Sequence, residues 1–297
     1  MVPGRYVLVG YDGSRGSEEA LAWAVEEARL RRLPLKIVHA WHWPYPADYR
    51  DEEGSTFLRR AGQHLLDRGV ELARARMPGL EIHGRLVNGP AYLALTREAR
   101  ESRLAVVGSH GDGEVPVGST ALRLPARATR PVVVVRGGGA GHRRVVAGVD
   151  GSAGGESALA FAFEQAALRG WSLRVVHGCW EPSAASERDL ALFAEEEKLV
   201  RVAEERLERA VESWRERFPE VEAVVAVPPL PPREALFEEA RGADLMVAGN
   251  RGTGGFDPLL LGATSGALLE HAPCTVAIVQ PGYGQAEDEE AEVEEPD

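Results

Sequence analysis

Three short motifs in this 297-residue chain bring together residue types that could bind a phosphorylated ligand, and each motif occurs twice. The first is Asp-Gly-Ser, at 12–14 and 150–152, and the second is a histidine followed by a small residue. The third is a glycine-rich run, at 108–120 and 249–265. A carboxylate can bind a ribose hydroxyl or a cation. Successive backbone N–H groups beside a helix N-terminus can bind an anion, and glycine lets the backbone approach a ligand at positive φ.

Each motif also has a purely structural interpretation. Asp followed by Gly suits a tight turn and the serine can cap the next helix, so the aspartate fits a turn as well as a ligand. For His39 and His177 we favour a structural role, because no serine or cysteine nucleophile is placed beside either one. The glycine-rich runs are not P-loops, since GxxxxGK[ST] does not occur in the chain.

The motifs repeat because the chain is an internal duplication. Residues 7–28 align with 145–166 at an offset of 138, and 13 of these 22 positions are identical. The offset grows to 141 at the fourth predicted strand and to 144 at the fifth. The second copy therefore has three extra residues before its fourth strand and three more in its glycine-rich loop.

Both copies alternate five apolar, β-branched runs with helical stretches. This pattern predicts an α/β fold of two tandem, doubly wound domains, each a parallel sheet with helices on both faces. In the first copy the strands are predicted near 6–10, 35–39, 82–87, 104–107 and 132–135. Ligands of such sheets bind at the carboxyl ends of the strands, where the winding direction reverses. All three motifs follow strands, so we expect them to meet at that edge.

The repeat also sets the predicted domain boundaries. These are a first domain at 1–136, a linker at 137–142, a second domain at 143–280 and an acidic tail at 281–297. The linker is rich in glycine, which predicts a flexible connection. The tail holds eight carboxylates and no base, which predicts disorder. Without the tail, the formal net charge of −12 falls to about −4.

Composition narrows the classes of function. Hydrophobic residues make up 44% and charged residues 27%, the balance of a soluble globular protein. No apolar run approaches the roughly 18 residues of a membrane helix, and the N-terminus has no secretory signal, so we expect a cytoplasmic protein without a membrane partner. No basic arm is present, which argues against nucleic acid. Cys179 and Cys274 form no CxxC pair, so no metal site is expected.

The three motifs, in this order and spacing, resemble those of the universal stress protein family in its form with two fused copies. They read strand-Asp-Gly-Ser, strand-His-small and Gly-x2-Gly-x9-Gly before the last helix, over about 5–136 and 143–280. The resemblance implies five-stranded sheets in the order 3-2-1-4-5. It also implies that the two domains pair through their last strands as an intramolecular pseudo-dimer, with a homodimer of two chains allowed but not required.

Many members of that family bind ATP through the first-strand Asp, the residue after the second-strand His and the glycine loop. Carried over to the second half, the resemblance implies the binding residues Asp150, Gly178, Gly249, Gly252, Gly262, Ala263 and Thr264. In the first half it implies Asp12, Ala40, Gly108, Gly111, Gly118, Ser119 and Thr120.

Both halves depart from the binding pattern. Ala263 stands where the pattern has Ser or Thr, although Thr264 and Ser265 could partly replace the lost hydroxyl. The first half keeps Ser119 but has only six residues between Gly111 and Gly118, a loop three residues short for wrapping a triphosphate.

An aromatic segment at 41–46 follows the second strand of the first half, beside the place where adenine would lie. It could cover the end of the sheet, or it could act as a lid whose rings stack on the base. We expect a cover, because the glycine loop of this half is the short one.

Together these observations predict a stress-response or regulatory protein that binds ATP, with or without Mg²⁺, mainly in its second half. It is not expected to be an enzyme, since no lysine on the phosphates, no paired carboxylates and no positioned base are found. The alternative is a ligand-free interaction module of the same fold that works by dimerising, which the altered loops favour. A weak ATPase or transferase ranks last.

Overall fold

A computed structural model describes residues 4–44, 51–110, 117–137, 141–178, 196–252 and 260–284. The chain divides into two compact units, Met1–Gly137 and Gly138–Asp297, which we call unit 1 and unit 2. The division falls inside the linker that the sequence predicts at 137–142.

Unit 1 alternates strands and helices from its start to its end. Its elements are β1 (Val7–Gly10), α1 (Arg15–Arg31), β2 (Leu35–Trp41), α2 (Glu52–Arg76), β3 (Ile82–Asn88), α3 (Ala91–Glu98), β4 (Leu104–Gly108), α4 (Ser119–Arg127) and β5 (Val132–Val135).

Unit 2 repeats this order of elements. They are β6 (Arg144–Gly148), α5 (Ala153–Arg169), β7 (Ser172–Val176), α6 (Glu196–Arg217), β8 (Ala223–Ala226), α7 (Pro232–Ala240), β9 (Leu245–Gly249), α8 (Ala263–His271) and β10 (Thr275–Val279).

Within each unit the strands form a parallel sheet in the predicted order. In unit 1 the order is β3-β2-β1-β4-β5, and in unit 2 it is β8-β7-β6-β9-β10. Val7 of β1 pairs with Leu35 on one side and with Leu104 of β4 on the other. The predicted α/β class and the 3-2-1-4-5 order are therefore confirmed. The winding direction reverses between β1 and β4, and between β6 and β9, so a crevice opens at the carboxyl ends of those strands.

The three strands β1, β4 and β5 of unit 1, and β6, β9 and β10 of unit 2, form the core because nearly all their side chains are apolar and covered on both faces. The outer strands β3 and β8 are half-buried or exposed. Helix α1 buries the apolar stripe that the sequence predicts, at Ala20, Leu21, Ala24, Val25 and Ala28. A serine caps the N-terminus of each of the helices α1 and α5. Ser14 accepts a hydrogen bond from the Ser17 backbone N–H, and Ser152 accepts one from Gly155.

The end of the predicted linker is held rather than flexible. The carboxylate of Asp244 accepts hydrogen bonds from the backbone N–H groups of Gly141 at 2.9 Å, Arg143 and Arg144. Arg143 takes φ 55°, which the three hydrogen bonds around it stabilise. The prediction of a flexible linker therefore does not hold from Gly141 onward; residues 138–140 lie outside the described structure.

The predicted acidic tail also begins later than the sequence indicates. Residues 281–284 form turns, with the Gly282 N–H donating to Ser157 Oγ at 3.0 Å. The ring of Tyr283 packs edge-on against Phe161, with ring centroids 5.4 Å apart, and its hydroxyl donates to Glu164. The prediction of disorder from Pro281 is therefore wrong for the first four residues, because an aromatic anchor precedes the acidic run. Residues 285–297 lie outside the described structure.

A partly buried ionic cluster ties α3 to the sheet of unit 1. Glu98, at the end of α3, meets Lys36 of β2 at 2.5 Å and Arg85 of β3 at 3.0 Å. The side chains of Glu98 and Lys36 are only 9% and 16% exposed, whereas that of Arg85 is 57% exposed. Burial lowers the pKa of Lys36, but hydrogen bonding and attraction to Glu98 outweigh it and raise the pKa above the ordinary 10.5.

Replacing Lys36 by methionine should destabilise the protein and change its response to alkali. We expect Lys36→Met to cost about 1–3 kcal/mol near pH 8, because Glu98 loses its buried partner. Since the folded pKa of Lys36 is raised, its contribution is complete below pH 10.5 and is lost as pH rises through the folded pKa. Urea unfolding at pH 8 and pH 11 should show a smaller loss between those pH values for the variant than for the parent protein.

Arg85→Met is the matched control, because it removes a charge from the exposed partner of the same carboxylate. It should cost less than about 1 kcal/mol at pH 8. An identical dependence on pH in the parent protein and in Lys36→Met would contradict this account of the cluster.

Candidate functional site

The turn after the first strand of each unit is built by its aspartate. Asp12 Oδ1 accepts hydrogen bonds from the Ser14 backbone N–H at 3.0 Å and from Ser14 Oγ at 2.5 Å. Asp150 and Ser152 repeat this geometry with the same two distances. The glycine between each pair has positive φ, 83° at Gly13 and 77° in unit 2. One carboxylate oxygen therefore forms the turn in each unit. In unit 1, Asp12 Oδ2 takes no part in these turn hydrogen bonds.

A backbone carbonyl positions His39, near the end of β2, and another positions His177, which follows β7. His39 Nδ1 lies 2.8 Å from the carbonyl oxygen of Tyr11, and His177 Nδ1 lies 2.8 Å from that of Val149. A carbonyl can only accept, so Nδ1 carries the proton in both rings. This supports the structural role that the sequence favoured, since each histidine ties β2 or β7 to the chain that leaves the neighbouring strand.

Two glycines in each unit let helix and strand meet backbone to backbone. A Cβ added at Gly108, at the end of β4, would lie 2.5 Å from the carbonyl carbon of Gly16 in α1. A Cβ added at Gly249 would lie 2.6 Å from the carbonyl carbon of Gly154 in α5. Neither Gly108 nor Gly249 has positive φ. Both are thus required for close packing of the first turn of the helix, in addition to any contact with a ligand.

A backbone hydrogen bond joins the start of the last helix of each unit to the residue that follows the fourth strand. Gly118 N–H donates to the Ser109 carbonyl at 2.7 Å, and Gly262 N–H donates to the Asn250 carbonyl at 2.9 Å. In the described structure no side chain caps α4 or α8 at its N-terminus. The first-turn N–H groups are therefore left to face the crevice, where they could bind an anion.

In unit 1 these pieces surround a cavity of about 230 Å³, which we call the unit 1 cavity. It brings together six of the seven residues that the resemblance implies for this half, namely Asp12, Ala40, Gly108, Gly118, Ser119 and Thr120. Gly111, the seventh, lies outside the described residues. The apolar part of the lining is Gly10, Val38, Ala91, Leu95 and Val107, and the polar part includes Ser14, Ser17, His39 and His110.

In unit 2 the backbone of a neighbouring segment lies against the residue that corresponds to Ala40. A Cβ added at Gly178 would overlap the Cα of Pro232, the first residue of α7, and would lie 3.1 Å from the Leu230 carbonyl. The counterpart of Gly178 in unit 1 is Ala40, which lines the cavity together with Ala91, the first residue of α3. Gly178 therefore admits the backbone of a neighbouring segment where unit 1 leaves space.

Gly252, which the resemblance implies for the second half, does not have positive φ. A Cβ added there would overlap Asp150 Oδ2, so the backbone of Gly252 lies close against that carboxylate. Close approach to Asp150 is therefore the structural constraint at 252, and a left-handed backbone is not. In the described structure, positive φ near this crevice occurs instead in the Asp-Gly-Ser turn.

The hydroxyl expected to replace the one missing at Ala263 is already engaged. Ser265 Oγ is buried and donates to the Gly249 carbonyl at 2.7 Å. Ser265 therefore cannot compensate for Ala263 without breaking that bond, and only the half-buried Thr264 keeps a hydroxyl at this turn of α8. In unit 1 the equivalent first helical residue, Ser119, is exposed and lines the cavity.

The aromatic segment after β2 does not line the unit 1 cavity where the structure describes it. A Cβ added at Gly54, in the first turns of α2, would lie 3.0 Å from the ring of Trp43. Neither Trp41 nor Trp43 is among the lining residues. This supports the cover rather than the lid for the described part of the segment; Tyr45 and Pro46 lie outside it.

Sequence reasoning did not include two features of the site. His110 lines the unit 1 cavity, with Nδ1 2.9 Å from Ser109 Oγ, and its only signal was its place between Gly108 and Gly111. The close approach of Pro232 to Gly178 was indicated even more weakly in the sequence, by a glycine at 178 together with a proline at the start of α7.

Among the described residues there is no group of three or more His, Cys, Asp or Glu side chains that could hold a metal ion. The helices that the structure describes include none with the length and apolar character needed to cross a bilayer.

Two tandem doubly wound domains with an Asp-Gly-Ser turn and a glycine loop at the switch point define one class of protein. The family model for the universal stress protein family matches residues 5–136 and 141–280. The chain therefore belongs to the universal stress protein family.

Its relatives agree with this assignment along the whole chain. A universal stress protein of Mycobacterium tuberculosis (strain ATCC 25618 / H37Rv) is 30% identical over 290 residues, which cover 92% of this chain and 96% of the relative. The solved structure of a universal stress protein from Archaeoglobus fulgidus matches with a TM-score of 0.70 at 16% identity, covering 94% of this chain and 97% of that one. That structural likeness supports the fold.

Because the helix and the strand meet through backbone atoms, adding even a methyl group at the strand glycine should lower the stability of the protein. Gly108→Ala and Gly249→Ala should each destabilise the protein by about 1–3 kcal/mol, because the added methyl meets backbone atoms that cannot rotate away. Thermal or urea unfolding measures this. Gly266→Ala is the control, since nothing lies within 4 Å of an added Cβ there. It lies inside α8 and should be neutral or stabilising by up to about 1 kcal/mol. Parent-like stability of both Gly108→Ala and Gly249→Ala would refute the packing role.

Proposed function

We propose that this chain binds an adenine nucleotide in the unit 1 cavity and acts as a non-catalytic regulatory protein of the stress response. The observation that carries the proposal is the convergence, on one cavity, of residues from four separate stretches of sequence. These are Asp12 after β1, Ala40 in β2, Gly108 at the end of β4 and the segment 118–120 at the start of α4.

The lining offers a suitable surface for each part of such a ligand. Val38, Leu95 and Val107 provide apolar contact for a flat base. Asp12 is exposed at the cavity, and its Oδ2 is available to a ribose hydroxyl. The uncapped N-terminus of α4, with the hydroxyls of Ser119 and Thr120, suits a phosphate. These three surfaces lie around the same cavity, as one bound nucleotide requires.

The geometry favours unit 1 as the binding unit, whereas the sequence favoured the second half. The longer glycine loop and the full spacing had pointed to unit 2. In unit 2, however, Pro232 lies against Gly178, the backbone of Gly252 lies against the Asp150 carboxylate, and the hydroxyl of Ser265 is engaged within the fold. Each of these contacts occupies a group or a space that a nucleotide would need.

We propose binding without catalysis because the cavity offers little for phosphoryl transfer. Asp12 is the one carboxylate in its described lining, so a pair that could hold Mg²⁺ is not formed there. The described lining also contains no lysine or arginine to neutralise charge in a transition state. Magnesium would enter only as the companion of a bound nucleotide.

The alternative of a ligand-free interaction module applies to unit 2 alone, because the start of α7 lies against Gly178 at its crevice. Pairing of the two halves through β5 and β10, as the family resemblance implies, stays a prediction, and so does a homodimer.

Native mass spectrometry of the purified protein should detect one adenine nucleotide per chain, either retained from the cell or taken up on addition. Ser119→Ala should then weaken binding by up to about tenfold, because one hydroxyl contact to the phosphate is lost. Ala263→Ser, the reciprocal change in unit 2, should leave affinity unchanged. Calorimetric titration of both variants measures the difference.

The pair of variants also tests which unit binds. Tighter binding in Ala263→Ser together with parent-like binding in Ser119→Ala would assign the site to unit 2. A protein that retains no nucleotide and takes up none at millimolar concentration would favour the ligand-free alternative for the whole chain.

A further inference from the structure

We propose that Arg123 of α4 binds the phosphate end of a nucleotide in the unit 1 cavity, and that the ring of Tyr92 holds this arginine in place. The inference rests on the proposed function and adds a cation to it, because the described lining of the cavity contains no lysine or arginine. Neither Arg123 nor Tyr92 belongs to the three motifs, and the family resemblance does not imply them.

Arg123 lies on the same side of α4 as the hydroxyls that border the cavity. It follows Thr120 by three residues and Ser119 by four, and both of these residues line the cavity. Side chains at those spacings are neighbours on the surface of a helix, and they lean toward its N-terminus. Arg123 is exposed and does not line the cavity itself. Its position on the helix therefore directs it to the rim, beside the first turn that would hold a phosphate.

The ring of Tyr92 supports this arginine from the neighbouring helix. Tyr92 is the second residue of α3 and directly follows Ala91, which lines the cavity. Arg123 Cζ lies 5.1 Å from the centroid of the Tyr92 ring, and Cζ of Arg127, one turn further along α4, lies 5.5 Å from it. A guanidinium held over an aromatic ring has less freedom before a ligand arrives. It therefore loses less conformational entropy when it binds a phosphate.

The charges of the two arginines are not balanced by a carboxylate. Within the described structure neither Arg123 nor Arg127 forms an ion pair. Helix α4 contains no acidic residue, and Glu98, the one acidic residue of α3, is engaged with Lys36 and Arg85. Because both guanidinium groups lie over one ring, their positive charges repel each other. An anion beside Arg123 relieves that repulsion and accepts a charge-assisted hydrogen bond.

Unit 2 does not repeat this arrangement. Ala267, the fifth residue of α8, corresponds to Arg123, the fifth residue of α4, and it is buried. Arg233 is the second residue of α7 and corresponds to Tyr92; its guanidinium lies over the ring of Phe237 in the same helix. An arginine of the last helix held over a ring of the preceding helix is thus a feature of the unit that we propose as the binding unit.

Calorimetric titration of the full-length protein with ATP and with adenosine tests this inference. Arg123→Met removes the charge and keeps a long side chain. We expect it to weaken ATP binding by about tenfold and to leave adenosine binding unchanged, because adenosine has no phosphate. Raising the salt concentration should reduce the difference in ATP affinity between Arg123→Met and the parent protein, since salt screens an exposed charge.

Two further variants distinguish a phosphate contact from a general effect of charge. Arg97→Met removes an exposed arginine of α3 that makes no cation–π contact with Tyr92 in the described structure, and it should change ATP affinity by less than about twofold. Tyr92→Leu removes the ring and keeps both arginines. It should weaken ATP binding by about threefold, less than Arg123→Met does, because the guanidinium loses its support. Thermal unfolding checks that each variant is folded.

The outcomes separate this inference from the proposed function. Parent-like ATP affinity in Arg123→Met would overturn the role of Arg123 and leave nucleotide binding in unit 1 in place. An equal loss of ATP and adenosine binding in Arg123→Met, or an equal loss of ATP binding in Arg97→Met, would do the same. Failure of the parent protein to bind either ligand would overturn both.

Discussion

The whole arrangement depends on one close contact, in which the first turn of a helix touches the end of a strand through backbone atoms alone. Gly16 meets Gly108 in unit 1, and Gly154 meets Gly249 in unit 2. This approach sets the width of the crevice at the point where the winding reverses. The Asp-Gly-Ser turn lies directly before the helix, and the glycine loop directly follows the strand. Both segments are therefore positioned by a contact that only glycine allows.

The two units share this framework but have different crevices, because they differ in a few small residues at the rim of the crevice. In unit 1, Ala40 and the start of α3 leave a cavity. In unit 2, Gly178 lets the start of α7 approach until the backbones touch. The unit with the fuller family loop spacing is thus the one in which the start of α7 closes in on Gly178, whereas the unit with the shortened loop keeps a cavity beside Ala40. Loop length and access to the crevice are set by separate parts of the chain, so one does not predict the other.

Much of the fold could be predicted from the sequence, because it rests on local patterns that occur twice. The apolar strands, the buried stripe of α1 and the order of strands all follow from periodicity or from the family resemblance. The resemblance also implies six of the residues that line the unit 1 cavity. The contact between Gly178 and Pro232 could not be predicted, since it joins residues 54 positions apart across a segment whose length differs between the copies. The anchoring of Tyr283 on Phe161 was missed for a related reason, because the composition of an acidic tail conceals one aromatic residue at its start.

The contact between Gly178 and Pro232 limits which substitutions this rim of unit 2 can accept. Glycine at 178 allows the backbone at the start of α7 to approach to a distance that a side chain would prevent. Alanine at that single position would meet the Cα of Pro232 and lower stability before it gave any room. An alanine rim like that of unit 1 therefore requires changes at two positions that lie 54 residues apart. The two copies of the duplication are thus separated by a barrier that no single substitution at this position crosses.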